Sequence, residues 1–154
     1  MTLSVEVGYA TRHPYAPSAR LLSRWAVAAA GRRAAHAVLS LRVVTPHQSR
    51  RLNRLYRGKD YPTNVLSFPA GPLPQLAPTP LGDLVICARV VAREARAQHK
   101  APRAHWAHMV VHGVLHLLGH DHEATGGARR MERREIAVLR GLGFPNPYRV
   151  VADG

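Results

Sequence analysis

His112-Gly113-Val114-Leu115-His116-Leu117-Leu118-Gly119-His120-Asp121-His122 carries four histidines in eleven residues. Read as helix through Leu118, the run projects His112 and His116 from one face, four residues apart, a spacing at which two imidazoles hold one metal ion. Gly119 then ends the helix, because a glycine just past the last turn accepts the left-handed backbone that reverses the chain. The reversal brings His120, Asp121 and His122 back toward the same ion. His112, His116 and His122 thus form a three-nitrogen metal site at the end of the helix.

Three neutral imidazoles bind zinc as catalytic sites do, with one position left for water, whereas structural zinc sites are closed by four protein ligands. The spacing also repeats the metzincin pattern H-E-x-x-H-x-x-G-x-x-H at every position but one. Gly113 stands where those peptidases carry the glutamate that serves as general base. The metal-binding geometry is kept and the group that activates water for amide cleavage is absent, so a metallopeptidase is disfavoured. Asp121, beside the ligands, is a candidate to orient an imidazole or to move a proton.

Upstream, Pro102 opens the same helix, and His105, His108, His112 and His116 share one narrow face of it. Trp106, Met109, Val110, Val111, Val114, Leu115, Leu117 and Leu118 cover most of the remainder, which predicts a buried helix. Buried imidazoles without partners are costly, a further reason to expect a metal. His108 continues the i, i+4 series and reads as packing or as a support for the ligands rather than as a ligand itself.

Working outward, Leu3, Val5 and Val7 alternate with Ser4 and Glu6, the period of a half-buried strand. Ser18 caps a helix striped by Leu21, Leu22, Trp25 and Ala29 and ending before Gly31. Residues 36–44 alternate as a second strand, and the strand, helix, strand order predicts a parallel pair. Thr45-Pro46-His47-Gln48 is a capping box with proline at the first helical position, and Gly58 closes that helix just after Arg57. Val65-Leu66-Ser67-Phe68 and Leu84-Val85-Ile86-Cys87 read as two more strands, antiparallel across the segment from Pro69 to Pro80. The five prolines of that segment exclude it from helix or central strand and predict a mobile exposed loop. Residues 88–99 have helical composition, and Met131, Val138, Leu139 and Leu142 stripe a last helix. The expected fold is one α+β domain over residues 1–154, a small mixed four-stranded sheet packed with about five helices.

A chain of 154 residues buries a substantial core without disulfides, and its one cysteine, Cys87, forms none internally. The first residues show no secretory signal and no stretch is long enough to span a bilayer, so a cytoplasmic protein with no membrane partner is expected. Lys and Arg number 22 against 9 Asp and Glu, a net charge of +13 that favours polyanions, nucleic acid first. Eleven basic residues and no acid lie from Arg12 to Lys59, which marks that half as a binding face.

The histidine run, together with Leu52-Asn53-x-x-Tyr56-Arg57-Gly58-Lys59-Asp60, Thr63-Asn64-Val65-Leu66-Ser67-Phe68-Pro69 and Gly82-Asp83-Leu84-Val85-Ile86, resembles the bacterial YbeY family of metal-dependent endoribonucleases. The resemblance covers nearly the whole chain. It implies a metal ion, zinc first, on His112, His116 and His122, and an arginine important for RNA cleavage at Arg57. It further implies a single-strand-preferring endoribonuclease of 16S rRNA 3′ maturation and ribosome quality control, with rRNA and the ribosome or its proteins as partners. Many members have tyrosine at the place of His120, and here that extra histidine competes with His122 for the third ligand position. The offset of His122 fits the three-histidine pattern. Two other readings stay open: a ribosome- or RNA-binding factor with a structural metal, and a metallopeptidase-like hydrolase.

Overall fold

The computed structural model describes residues 2–71, 79–119 and 126–149. In chain order these residues form β1 (Ser4–Tyr9), α1 (Ala19–Ala30) followed by a 3-10 turn, β2 (Ala37–Val44), α2 (Pro46–Arg57), β3 (Val65–Pro69), β4 (Thr79–Cys87), α3 (Ala88–Ala97), α4 (Pro102–Leu117) and α5 (Gly127–Gly141). The four strands lie in the order β1-β2-β4-β3. β1, β2 and β4 run parallel, and β3 is antiparallel to β4. This is the mixed four-stranded sheet with five helices expected of the sequence.

Alternation along β2 sends Ala37, Leu39, Leu41 and Val43 into the main core, where they meet Leu84 and Ile86 of β4, Leu22, Trp25 and Ala26 of α1, and the buried side of α4. A smaller cluster, Val44, Leu66, Val85, Cys87 and Val90 with Leu52 and Phe68 packed on it, joins α2 and α3 to the sheet. α4 is the central helix. It packs on α1, α3 and α5 and on strands β3 and β4, so its residues are covered on most sides, as its nearly unbroken apolar run requires. None of the described helices is long and apolar enough to cross a membrane.

Two details position the functional residues. Gly113 sits where α4 crosses the sheet, and a Cβ built there would lie 2.6 Å from Leu84 Cδ2 and 3.3 Å from Val65 Cγ2. The glycine that replaces the peptidase glutamate thus favours close packing, because a Cβ here must displace the buried Leu84 side chain where the helix approaches β3 and β4. Ser67 Oγ donates to the Gly113 carbonyl at 3.2 Å across the same contact. At the end of α4, Gly119 has φ +92° and its N–H donates to the His116 carbonyl at 3.0 Å, the positive-φ helix end expected of the glycine, while the course of the chain beyond it lies outside the described residues.

Two strand boundaries differ from expectation, and Pro80 lies in a central strand, from which the prolines of this segment are expected to be excluded. β4 begins at Thr79 and takes in Pro80, and β3 ends on Pro69, so both ends of the proline-rich segment are paired. Pro80 lies beside the register shift between Val38 and Leu39, and β3 pairs with β4 only as far as Gly82. A proline is tolerated at a bulge where its missing N–H breaks no regular ladder. Residues 72–78 of the expected mobile loop lie outside the described residues.

Candidate active site

α2 carries the basic side of the site. Thr45 Oγ1 accepts from the Gln48 N–H at 3.2 Å while Gln48 Oε1 accepts from the Thr45 N–H at 3.0 Å, so the capping box read from the sequence is formed. Gly58 closes the helix at φ +69°, a left-handed cap that places Arg57 on the last turn. Two buried polar residues one turn apart then stitch the following loop to the helix. Ser49 Oγ donates to the Thr63 carbonyl at 3.0 Å and accepts from the Thr63 N–H at 2.9 Å, and Asn53 Nδ2 donates to the Tyr61 carbonyl at 2.8 Å. The loop is thereby folded back so that Thr63 and Asn64 stand beside Arg57.

Arg57, Tyr56, residues 63–68, His112 and His116 line one cavity of about 580 Å³. The expected pair of metal-binding histidines and the expected catalytic arginine thus face the same space from two different elements, α4 and α2. The His112 and His116 rings lie 4.7 Å apart between centroids, at 69° to each other. His122, the expected third ligand, and Asp121 and His120 lie outside the described residues. Of the eleven basic residues in the first half, some have structural tasks. Arg12 donates to the Ala16 carbonyl and stacks on Tyr9, Arg33 donates to the Leu118 carbonyl, and Arg50 makes a bidentate pair with Asp60 at 2.8 and 3.0 Å. Arg51, Arg54 and Arg57 remain exposed along α2.

The buried histidines of α4 are partnered by two carboxylates that no reading of the sequence singled out. Glu94 of α3 accepts from His105 Nε2 at 2.9 Å and from Asn64 Nδ2 at 3.1 and 3.2 Å, and Asn64 Oδ1 accepts from the Val65 N–H at 2.6 Å. Burial pushes the Glu94 carboxyl up, but the hydrogen bonds from His105 and Asn64 outweigh it and hold the group below its ordinary value. A carboxyl depressed in the folded state stabilises the protein above its unfolded pKa, and that contribution is lost as pH falls through the folded value. Glu94→Gln is therefore expected to flatten the acid limb of the stability profile, measured by urea unfolding between about pH 3 and 6. An unchanged limb would show that Glu94 is not coupled to folding.

Glu135 of α5 is almost fully buried, with a side chain 1% exposed. Its Oε2 lies 2.5 Å from His108 Nε2 and 2.8 Å from the Tyr148 hydroxyl, and its Oε1 lies 3.2 Å from His112 Nδ1. Burial pushes this carboxyl up, and the hydrogen bonds from His108 and His112 more than reverse that, holding it down at about 2. Burial pushes the His108 imidazole down, only partly offset by Glu135, so at neutral pH the pair is a neutral ring donating to a carboxylate. The Tyr148 hydroxyl is raised by burial and by the neighbouring Glu135 charge, which keeps it a donor.

These partners correct one inference from the sequence. Nε2 of each of the buried His105 and His108 rings is met by a carboxylate, so that nitrogen needs no metal, while Nδ1 of each has no hydrogen-bond partner among the described residues. His108, His112 and Glu135 do offer ligand atoms within 4.8 Å of one another, close enough to hold an ion. The sequence signal for Glu135 was a carboxylate on the apolar stripe of its helix, one turn from Met131 and one from Leu139, both buried. For a zinc-type metal, the imidazole pair on the cavity wall is a suitable donor set.

The family model described as "Endoribonuclease YbeY" matches residues 18–143. A protein of Alkalilimnicola ehrlichii named "Endoribonuclease YbeY" is 55% identical over 154 residues, covering 96% of this chain and 92% of that protein. In fold, the chain is similar to a Thermotoga maritima protein solved in solution, with a TM-score of 0.58 and 20% identity over 96% of this chain and 99% of that one. Identity and coverage of this extent leave one conclusion: the chain belongs to the YbeY endoribonuclease family.

Proposed function

We propose that this chain is a metal-dependent endoribonuclease, one catalytic domain over residues 1–154, that prefers single strands and acts in the cytoplasm. Its substrate is small-subunit rRNA during 3′ maturation and ribosome quality control, met on or beside the ribosome. The observation that supports this reading most is the shared cavity, where Arg57 faces His112 and His116 and no acidic residue is among the described lining residues. A phosphodiester suits that space, and the exposed Arg51 and Arg54 on the same helix extend a positive track for the backbone.

His112, His116 and His122 would hold one divalent ion, zinc first on the chemistry of three imidazoles. When bound, the ion supplies Lewis acidity toward a non-bridging phosphate oxygen. Arg57 donates to another such oxygen and stabilises the charge that grows at phosphorus during displacement. Thr63 and Ser67 line the same space, and their hydroxyls can orient sugar and phosphate oxygens there, while the Asn64 amide is held by Glu94 and the Val65 N–H. Asp121 orients a ligand imidazole or moves a proton. The reaction can do without the peptidase glutamate by either of two routes: RNA carries its own 2′-hydroxyl as nucleophile, or a water whose pKa the ion would lower could attack instead.

The test uses protein stripped of metal and offered single-stranded and structured RNA with and without added zinc, beside a His116→Ala protein prepared identically. Cleavage should return with zinc in the wild type, faster on the single strand, and stay absent in His116→Ala. Equal cleavage by both proteins would overturn the proposal, as would metal-dependent digestion of casein with RNA left intact.

A further inference from the structure

We propose that Glu135 is a positioning residue for the metal centre, fixing the His112 imidazole as its Nδ1–H form so that Nε2 is the nitrogen presented to a metal ion. The proposal rests on His112 being a metal ligand, and it assigns a task to a residue from a different helix, 23 positions further along the chain.

Three groups converge on this one carboxylate. His112 Nδ1 lies 3.2 Å from Oε1, and Oε2 is met by His108 Nε2 at 2.5 Å and by the Tyr148 hydroxyl at 2.8 Å. An ionised carboxylate only accepts hydrogen bonds, so each of the three partners must bring the proton. For His112 the 3.2 Å contact of Nδ1 with Oε1 is that of a donated Nδ1–H, which leaves Nε2 as the nitrogen for a metal. Ligand histidines held in this way have a fixed ring orientation and a more basic donor nitrogen. His112 is 27% exposed at its side chain and lines the cavity, while Glu135 lies behind it in the core, so ring and carboxylate stand in the order that such a support requires.

The alternative is that Glu135 is itself a ligand, in a cluster with His108 and His112. Two ligand atoms on one tetrahedral zinc, each about 2.0–2.1 Å from it, stand about 3.4 Å apart. The separation of 2.5 Å between Glu135 Oε2 and His108 Nε2 is far shorter and is that of a charge-assisted hydrogen bond. Tyr148 occupies the same oxygen. The carboxylate is thus engaged as an acceptor by two groups besides His112.

A direct test needs no variant: nitrogen-15 NMR of the ring of His112 in metal-free wild-type protein should show Nδ1 protonated. A ring protonated at Nε2 instead would overturn the proposal. Zinc affinity is then measured by competition with a chromogenic chelator for the wild type, Glu135→Gln, Tyr148→Phe and His116→Ala. Glu135→Gln should remain able to bind one zinc, roughly 10- to 100-fold more weakly, and its His112 should become a mixture of tautomers. Tyr148→Phe leaves Oε1 to His112 and should change affinity by less than Glu135→Gln does. A folded Glu135→Gln with wild-type affinity and tautomer would reduce the residue to a core polar group and refute the inference. Total loss of zinc from Glu135→Gln, with zinc retained by His116→Ala, would make Glu135 a ligand and refute it too. If His116→Ala loses zinc while Glu135→Gln binds as the wild type does, the three-histidine site stands and only the positioning role fails.

Discussion

Arg57→Ala is expected to slow RNA cleavage by roughly 10²- to 10³-fold, the loss that follows removal of one preorganised donor from a developing negative charge. The side chain is exposed at the last turn of α2, and the turn itself is held by the Gly58 cap and the Ser49 and Asn53 hydrogen bonds, none of which uses the guanidinium. Folding should therefore be nearly unaffected. The lost interaction with the helix dipole is worth about 0.3–1 kcal/mol. Arg57→Lys keeps the charge but not the planar fork, so its rate should fall between those of the wild type and the alanine protein. Rates measured at saturating RNA, with melting curves on the same samples, separate the two effects. A wild-type rate in Arg57→Ala would remove the arginine from the chemistry.

Gly113→Glu should abolish the fold rather than create a peptidase. A Cβ at this position already meets Leu84 Cδ2 at 2.6 Å, Leu84 is fully buried, and the rest of a glutamate would have to enter the contact between α4 and the sheet. Overpacking costs about 1–3 kcal/mol and an unpaired buried carboxyl several more, which together approach the whole stability of a domain, about 5–15 kcal/mol. Gly113→Ala is the milder version. Alanine gains about 1 kcal/mol in helix propensity, and the displaced Leu84 side chain costs more than that, so a net loss of about 1–2 kcal/mol is expected. Circular dichroism and denaturant unfolding check both. A folded Gly113→Glu protein of normal stability would show that the glycine is not there for packing.

Local patterns carried the sequence reading a long way. The i, i+4 pair His112 and His116 needs only a helix to share a face, and the capping box at Thr45 with Gly58 at the other end fixes both bounds of α2 and hence the place of Arg57. Period-two alternation found β1 and β2 because each strand has one face on the core. What stayed hidden depends on contacts distant in sequence. Glu94 and Glu135 meet His105 and His108 from 11 and 27 residues away, and nothing local announces a carboxylate partner for a buried ring. The four-histidine face therefore read as a stronger metal signal than it is, since two of its members have structural acceptors. Pro80 misplaced the start of β4 for a similar reason, because a bulge in the pairing with β2 is a property of two strands and not of one.

Metal content per chain, determined together with RNA cleavage on the same preparations of wild type, His108→Ala and His122→Ala, tests the central claim most directly. With the ion on His112, His116 and His122, the wild type carries one ion, His122→Ala loses both ion and activity, and His108→Ala keeps the ion at reduced affinity. A full complement of metal and normal cleavage in His122→Ala, with both lost in His108→Ala, would place the ion on the His108, His112 and Glu135 cluster and contradict the account.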